Sequence, residues 1–271
     1  MPEVSNIESV TALLTAINFD RFAEIQARHH PGVTFNSFRG PTLHGNVDVA
    51  DWHREFLRDY ADCCYSDVEF IESGDTVCAR ATIEAKGYDW RRFEQRVLEV
   101  FRFEEGAVIE RRLYGMLRDV QFDKAITAAM TNALGFKGGS VAETARAVEA
   151  IVAGMKANGA ASESALFTEN AVVIDGVYGI AAGKDGMEAI AAARPRPAFG
   201  LERVTASFAG GHNAVIETAI DPARPRKAEW LRFVDGKVAV DEVYWMLREI
   251  GVNPYENYAR DRHLRQVILP T

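Results

Sequence analysis

The chain has 271 residues, with 31 Lys plus Arg against 39 Asp plus Glu, so its formal net charge is −8. Hydrophobic residues make up 48% and charged residues 26%, which is the composition of a globular protein with a substantial core. The acidic balance disfavours electrostatic binding to nucleic acid or to an anionic membrane. No apolar run approaches the roughly 20 residues that cross a bilayer.

The first half of the chain predicts helices followed by strands. Apolar residues recur at helical spacing over residues 7–17, and a second short helix ends at the helix-stopping segment 29–32. A strand over 33–38 and a helix near 47–62 come next. Alternating segments bounded by turn residues then predict four strands, near 65–72, 76–85, 92–103 and 107–117.

The second half predicts the same order of elements. Helices are expected near 142–156 and 161–168, followed by a strand over 171–178 and a helix at 185–193. The Gly-rich segment 134–140 predicts a linker between the halves. Four further strands are predicted near 200–208, 212–220, 228–234 and 237–247.

An internal repeat relates the two halves, because residues 99–119 resemble residues 229–249 at an offset of 130 (229 − 99). The identical pairs are Glu99/Glu229, Arg102/Arg232, Phe103/Phe233, Gly106/Gly236, Val108/Val238, Tyr114/Tyr244, Met116/Met246, Leu117/Leu247 and Arg118/Arg248. So long a period excludes a solenoid. It indicates two copies of one domain, residues 1–134 and residues 135–271, the second with a C-terminal extension.

Helices at the front of a run of strands indicate an α+β fold. We therefore predict two tandem cone-shaped α+β barrel domains, each a curved antiparallel sheet wrapped by N-terminal helices. The open end of such a cone forms an apolar pocket.

Three sequence features resemble a known superfamily. The strand–glycine–helix segment reads FNSFRGPTLHG in the first half and VIDGVYGIAAG in the second, and the penultimate strand reads EVFRF and EWLRF. The turn EEG or VDG then leads into a strand rich in aromatic residues. In this order, twice, these features resemble the nuclear transport factor two-like (NTF2-like) superfamily in its ketosteroid-isomerase-like and SnoaL-like branch. The resemblance covers nearly all of residues 4–249. That branch includes isomerases, dehydratases, epoxide hydrolases, polyketide cyclases and pure binding domains, so the fold does not decide the reaction.

The resemblance to ketosteroid isomerases implies catalytic carboxylates. In that family an Asp base lies on the first strand, about eight residues before a glycine that opens the next helix. Asp175 has this position in the second half and Ser37 has it in the first. A second acid on the penultimate strand corresponds to Glu99 and Glu229. The family's Tyr donor on the first helix has no counterpart here, so the sequence departs from the steroid isomerase pattern.

The strand pattern places both glutamates among apolar residues. Glu99 shares a strand face with Phe101, and Glu229 shares one with Leu231. Desolvation raises the pKa of such a carboxyl group, which then donates a hydrogen bond to an oxyanion or acts as a general acid. Asp175 would take the proton. The alternative is that both glutamates lie outward and pair with arginines.

The hairpin turns predict which side chains line each pocket. If each turn has three residues, Glu99 lies opposite Arg111 and Glu229 lies opposite Asp241. Arg111 then lines the first cavity, and Asp241 and Trp245 line the second. A one-residue slip would reverse every face.

Two further residues are candidates for substrate binding. His53 reaches the first pocket from its helix, or else lies in solvent. Trp90 belongs to a cluster of aromatic residues and arginines on a strand connection, which would grip an aromatic or anionic substrate or simply form an edge-strand surface.

The sequence predicts neither a cofactor nor a metal. No GxGxxG, P-loop or GxSxG motif occurs where its chemistry requires it. The clustered histidines lack metal-binding spacing, and the three cysteines show no CxxC pair. Unpaired cysteines and an N-terminus without basic residues predict a cytoplasmic protein.

We therefore expect a cofactor-independent lyase that uses carboxylate acid–base chemistry on a hydrophobic, aromatic small molecule. Elimination of water and retro-aldol cleavage both fit. A double-bond isomerase of ketosteroid-isomerase type and a non-catalytic binding or scaffolding protein are the alternatives. No nucleic acid or membrane partner is expected, and a homo-oligomer is compatible with the sequence.

Overall fold

The chain divides into two compact units, Met1–Gly115 and Met116–Thr271. The predicted boundary at residue 134 and the predicted extension from residue 253 lie outside the described residues, so both stay predictions. The structure is a computed structural model that describes residues 5–86, 92–116, 140–158, 166–193, 203–221 and 224–252.

Three helices precede or interrupt the strands of the first unit: α1 (Asn6–Asn18), α2 (Phe22–Arg28) and α3 (Asn46–Asp59). A capping box starts α1, because the Ser5 hydroxyl accepts from the Glu8 backbone N–H at 3.2 Å and Glu8 Oε2 accepts from the Ser5 N–H at 3.0 Å. The apolar face predicted from helical spacing is buried. Its members are Val10, Leu13, Leu14 and Ile17.

The first unit contains one antiparallel sheet in the order β3-β4-β5-β6. Strand β1 pairs parallel with β6, and β2 pairs antiparallel with β1. Helix α1 packs on β3 and α3 packs on β1. The strands are β1 (His29–Ser37), β2 (Leu43–His44), β3 (Ala61–Ser73), β4 (Thr76–Lys86), β5 (Arg92–Glu104) and β6 (Ala107–Gly115).

The second unit has the same order of elements. Its sheet runs β9-β10-β11-β12, with β7 parallel to β12 and β8 antiparallel to β7. An apolar cluster joins one helix, α4 (Val141–Asn158), to strands β10, β11 and β12. The other elements are β7 (Phe167–Asp175), β8 (Gly179–Ala182), α5 (Gly183–Ala193), β9 (Arg203–Gly210), β10 (Asn213–Asp221), β11 (Arg224–Val234), β12 (Lys237–Trp245) and a 3-10 turn (Leu247–Ile250).

The structure differs from the sequence prediction in several elements: β1 begins at His29 instead of residue 33, the short strands β2 and β8 were not predicted, and two boundaries differ in the second unit. The helix predicted at 161–168 gives way to strand by Phe167, and its remaining residues up to 165 lie outside the described part of the chain. The strand predicted over 171–178 ends at Asp175, because the next three residues form a turn into β8. Each unit is nevertheless α+β, with N-terminal helical structure packed against an antiparallel sheet, which in the described part of the second unit is α4 alone.

The predicted register of the first hairpin was wrong by two residues. Glu99 lies opposite Leu113, and Phe101 lies opposite Arg111. Glu105 and Gly106 both have positive φ, of 50° and 79°, so they form the central residues of a two-residue turn instead of a three-residue one. The pairing shifts again after Arg102, where the strand is irregular.

The second hairpin differs from its predicted register in the same way. Glu229 lies opposite Val243 and Leu231 lies opposite Asp241, with an irregularity after Arg232. A shift of two residues keeps every side chain on its predicted face, because successive residues of a strand alternate. The face assignments from the sequence therefore survive although the residue pairs do not.

The parallel strand pairings place Ser37 and Asp175, the two positions implied by the isomerase resemblance, at equivalent points of the two units. Ser37 pairs with Leu113 in the first unit, and Asp175 pairs with Val243 in the second. Leu113 and Val243 are themselves separated by the repeat offset of 130 (243 − 113). The first unit thus has a hydroxyl where the second has a carboxylate.

Candidate active site

The first unit holds a salt bridge in its interior. Arg111 Nε donates to Glu99 Oε2 at 2.6 Å, and the two side chains are 0% and 1% exposed. The guanidinium of Arg111 also lies 4.8 Å from the ring centroid of Phe35 and 5.3 Å from that of Phe101. The sequence left a buried glutamate and an arginine-paired glutamate as alternatives. The structure combines them.

The pKa values of Arg111 and of its neighbour Tyr65 fix the protonation of both groups. Burial works against the charged form of Arg111, but the Glu99 carboxylate and the Tyr65 side chain, which both hydrogen-bond to it, together more than compensate and raise the pKa of Arg111. Burial, and next the charge of Glu99, raise the pKa of the Tyr65 phenol well above its usual value. Arg111 therefore stays cationic and Tyr65 stays protonated. The sequence analysis did not identify Tyr65, because no residue spacing in its strand links it to Glu99 or Arg111.

His53 extends the cluster from helix α3. Its Nε2 lies 2.7 Å from Arg111 Nη1, and because a guanidinium only donates, Nε2 is the acceptor. Burial, and next the charge of Arg111, lower the pKa of His53 well below its usual value. The imidazole is therefore neutral and carries its proton on Nδ1.

Three polar atoms of this cluster are buried without a hydrogen-bond partner among the described residues: Glu99 Oε1, Arg111 Nη2 and His53 Nδ1. Each such atom costs about 1–3 kcal/mol if nothing satisfies it. They comprise one acceptor and two donors around a single ion pair. This is the arrangement that a bound polar group of a small molecule would satisfy.

Asp175, the predicted base, holds a turn in the second unit. Its Oδ1 accepts from the backbone N–H of Val177 at 2.9 Å and from that of Tyr178 at 3.1 Å. The indole Nε1–H of Trp245 donates to the same oxygen at 2.9 Å. The carboxylate thus fixes the connection from β7 to β8 and orients Trp245.

Glu229 is also buried and paired, although with a different cation. Lys227 Nζ lies 2.7 Å from Glu229 Oε1, and both side chains are 7% exposed. The lysine comes from β11 itself, whereas Arg111 comes from the strand next to Glu99. Asp241, at the position of Arg111, is buried too. Sequence reasoning missed Lys227, although its spacing of two from Glu229 puts both on one face.

Trp245 and Gly115 occupy equivalent positions, and the two units fill the space around them differently. The Phe38 ring would lie 2.7 Å from a Cβ added to Gly115. In the second unit the Trp245 indole is itself buried, with its ring centroid 5.8 Å from that of Tyr178. An aromatic ring therefore lies at this place in both units, contributed by the turn after β1 in the first and by β12 in the second.

Trp90 and Cys63 are the remaining candidate side chains. Trp90 lies outside the described residues, so its role stays a prediction. Burial raises the pKa of the Cys63 thiol to about 12, which makes it a poor nucleophile. Across the described residues, no group of three or more His, Cys, Asp or Glu is arranged to hold a metal ion, and no helix is long and apolar enough to cross a membrane.

The fold and the buried ion pair define a class of protein. The first unit has the cone-shaped α+β fold of NTF2-like domains, and polar side chains lie inside its apolar interior. Residues 10–111 match the SnoaL-like domain family, and this part of the chain is a SnoaL-like domain. The match includes Glu99, Arg111, His53 and Tyr65. No curated protein matches the chain.

Solved structures resemble the chain over less than half of its length. An NTF2-like protein of unknown function from Burkholderia pseudomallei is 22% identical with a TM-score of 0.39, covering 46% of this chain and 95% of its own. A candidate polyketide cyclase from Pseudomonas putida is 15% identical with a TM-score of 0.39, covering 41% and 92%. A protein with a ketosteroid isomerase-like fold from Catenulispora acidiphila, solved with trimethylamine, is 16% identical with a TM-score of 0.38, covering 40% and 84%. These similarities do not identify a reaction.

Proposed function

We propose that the first unit is a cofactor-independent lyase that eliminates water from a hydrophobic, aromatic carbonyl compound. SnoaL-like domains bind small hydrophobic molecules. The observation that carries the proposal is the set of three buried atoms described above, Glu99 Oε1, Arg111 Nη2 and His53 Nδ1. An acceptor beside two donors is what the removal of a proton next to a carbonyl requires.

Two of these atoms stabilise negative charge. Arg111 Nη2–H and His53 Nδ1–H donate to the carbonyl oxygen of the substrate as it becomes an enolate oxygen. A neutral imidazole is well suited to this role, because it donates without itself releasing a proton. Preorganised donors in a site without water commonly supply a rate factor of about 10²–10³ each.

The third atom moves the proton. Glu99 Oε1 removes a proton from the carbon next to the carbonyl, and the C–H electron pair forms the enolate. The enolate then collapses, the bond from the neighbouring carbon to its hydroxyl breaks, and Glu99 returns the proton to the leaving oxygen. The products are an α,β-unsaturated carbonyl compound and water, and the side chains end as they began.

This proposal moves the reaction from the second unit to the first. The isomerase resemblance implied Asp175 and Glu229 as the working acids. Asp175 Oδ1 already accepts three hydrogen bonds, and Glu229 pairs with Lys227. We keep both as secondary candidates, with Asp241 and Trp245 beside them, and assign the main chemistry to Glu99.

One probe distinguishes the reactions. The aldol adduct of benzaldehyde and acetone gives benzylideneacetone and water by elimination, or benzaldehyde and acetone by retro-aldol cleavage. We expect the full chain to form benzylideneacetone, and the Glu99→Gln variant to form at least about 10²-fold less. Glu229→Gln is the matched control, since Glu229 has the same register in the second unit.

Other outcomes would redirect or remove the proposal. Benzaldehyde and acetone as products would indicate the retro-aldol lyase. Conjugation of a β,γ-unsaturated aromatic ketone, without elimination, would indicate the isomerase. Binding of the probe with no turnover of any kind would contradict an enzymatic role and favour a binding protein.

We further propose that the two units are copies of one domain whose buried charged residues differ. Equivalent registers in both hairpins and the equivalent pairing of Ser37 and Asp175 support this. Each copy expressed alone, cut in the segment around residues 134–140, should give a folded protein with cooperative unfolding. Two fragments that are each unfolded would contradict this division.

A further inference from the structure

His29 is a buried histidine that the proposed reaction does not use. It is the first residue of β1, directly after α2, and it is 2% exposed. Its Nδ1 lies 2.7 Å from the carbonyl oxygen of Ile25. A carbonyl only accepts, so Nδ1 carries the hydrogen and the tautomer of His29 is fixed.

The other ring nitrogen of His29 is an acceptor. Burial, and next the charge of Arg111, lower the pKa of His29 to about 3, so the ring is neutral at ordinary pH. Nε2 therefore holds a lone pair. Nε2 is buried, and no hydrogen-bond partner for it is found in the part of the chain that the structure describes.

His29 belongs to the same interior as the proposed reaction site. The charge of Arg111 lowers the pKa of both His29 and His53, and His29 also lowers the pKa of His53. Strand β1 starts at His29, which pairs with Val108 on β6, three residues before Arg111 on the same strand. Among the described residues of the first unit, His29 Nε2 is thus a second buried acceptor without a partner, besides Glu99 Oε1.

We propose that His29 Nε2 accepts a hydrogen bond from a hydroxyl group of the ligand, so that the first unit selects hydroxylated aromatic compounds. The proposal rests on the proposed function for the presence of a small aromatic molecule in this interior. A neutral acceptor with no proton to give favours a donor and rejects an ether oxygen at the same place. An analogue without the O–H group leaves Nε2 unpaired.

Three probes of nearly equal shape test this selection. Para-hydroxyacetophenone presents a donor, para-methoxyacetophenone presents an oxygen that cannot donate, and acetophenone presents neither. With the full chain we expect the hydroxyl compound to bind about tenfold more tightly than the other two by calorimetry. Its binding should also shift the Nε2 resonance of His29 in nitrogen-15 NMR spectra.

Variants assign the preference to His29. His29→Phe removes the acceptor and should abolish the tenfold preference, while His29→Gln supplies an acceptor oxygen and should restore part of it. His29→Gln also keeps the test valid if His29→Phe fails to fold. His44→Gln is the matched control, because His44 is exposed on β2 and should keep the full preference.

Each outcome decides between the two proposals. Equal affinities for the three probes, or a preference that survives in His29→Phe, overturn the role of His29 and leave the proposed reaction intact. A preference that depends on His29, together with unchanged turnover in Glu99→Gln, supports this inference and overturns the proposed reaction. No binding of any probe overturns the aromatic ligand, and both proposals with it.

Discussion

Arg111 and Glu99 form a salt bridge with an Nε–Oε2 distance of 2.6 Å between side chains that are 0% and 1% exposed. A buried pair of this kind adds little net stability, because desolvation of both charges offsets their attraction. Its two ends are instead available for chemistry, since Glu99 Oε1 and Arg111 Nη2 lack partners among the described residues. The salt bridge therefore leads to one prediction about activity and another about stability.

For activity, Glu99→Gln should lower turnover of the benzaldehyde–acetone adduct by about 10²-fold or more, because an amide cannot take the proton. Glu229→Gln and Asp175→Asn should each change it by less than about tenfold. The measurement is the rate of benzylideneacetone formation at saturating substrate. If Asp175→Asn abolishes turnover while Glu99→Gln is silent, the active pocket is in the second unit, as the isomerase resemblance implied.

For stability, Arg111→Met should lower the free energy of unfolding by about 3–5 kcal/mol, because it leaves the Glu99 carboxylate buried without its cation. The double variant Arg111→Met/Glu99→Gln should be more stable than Arg111→Met alone. Urea unfolding of the full chain, of each single variant and of the double variant measures this. A double variant that loses the sum of both single effects would contradict the coupling.

Asp175 should prove to be a residue that holds a turn. Asp175→Ala removes the acceptor of three hydrogen bonds and should lower the free energy of unfolding by about 2–4 kcal/mol. Asp175→Asn keeps an acceptor oxygen and should cost about 1 kcal/mol or less. Thermal unfolding followed by circular dichroism separates the two. Equal losses of unfolding free energy in both variants would mean that stability depends on the negative charge of Asp175 and not on the hydrogen bonds of the turn.

The stability of the protein should fall on mild acidification. His29, with a pKa of about 3, and His53, with its pKa also lowered, stay neutral when folded but bind protons when unfolded below about pH 6.5. Their contribution is therefore complete above pH 6.5 and declines as pH falls towards 3. Each histidine adds a slope of up to about 1.4 kcal/mol per pH unit.

Urea unfolding between pH 7.5 and 5.5 measures this slope. His29→Gln should reduce the slope of unfolding free energy against pH by the contribution of one histidine. His44→Gln should leave this slope unchanged because His44 is exposed. Identical slopes in all three proteins would contradict the assignment of a lowered pKa to His29.

The packing of Gly115 against Phe38 should resist even one added methyl group. A Cβ at Gly115 would lie 2.7 Å from the Phe38 ring, so Gly115→Ala should lower the free energy of unfolding by about 1–3 kcal/mol. Adding Phe38→Leu should recover part of the loss. Gly154→Ala is the control, because nothing lies within 4 Å of its added Cβ, and in the interior of α4 it should be neutral or stabilising.

The sequence by itself determined the main helices, the four-strand runs and the faces of the strands, but not the short strands β2 and β8. Helical and alternating apolar spacing are local properties, so they located α1, β1 and the four-strand runs without tertiary information. The repeat offset of 130 (229 − 99) also identified Glu99 and Glu229 as equivalent positions. Both glutamates are buried on the predicted face, and this held although the register was wrong, because a shift of two residues preserves the alternation.

Only the tertiary structure decided which groups those glutamates meet. Glu99 reaches Arg111 diagonally across a hairpin whose two-residue turn and irregular pairing the sequence did not reveal. His53 joins them from a helix 58 residues away from Arg111 in the chain. Asp175 turned out to accept three hydrogen bonds because its chain folds back over Oδ1 and brings the Trp245 indole to it. Hydrogen-bond partners depend on distances of a few tenths of an ångström between distant segments, and no local pattern of residues encodes these distances.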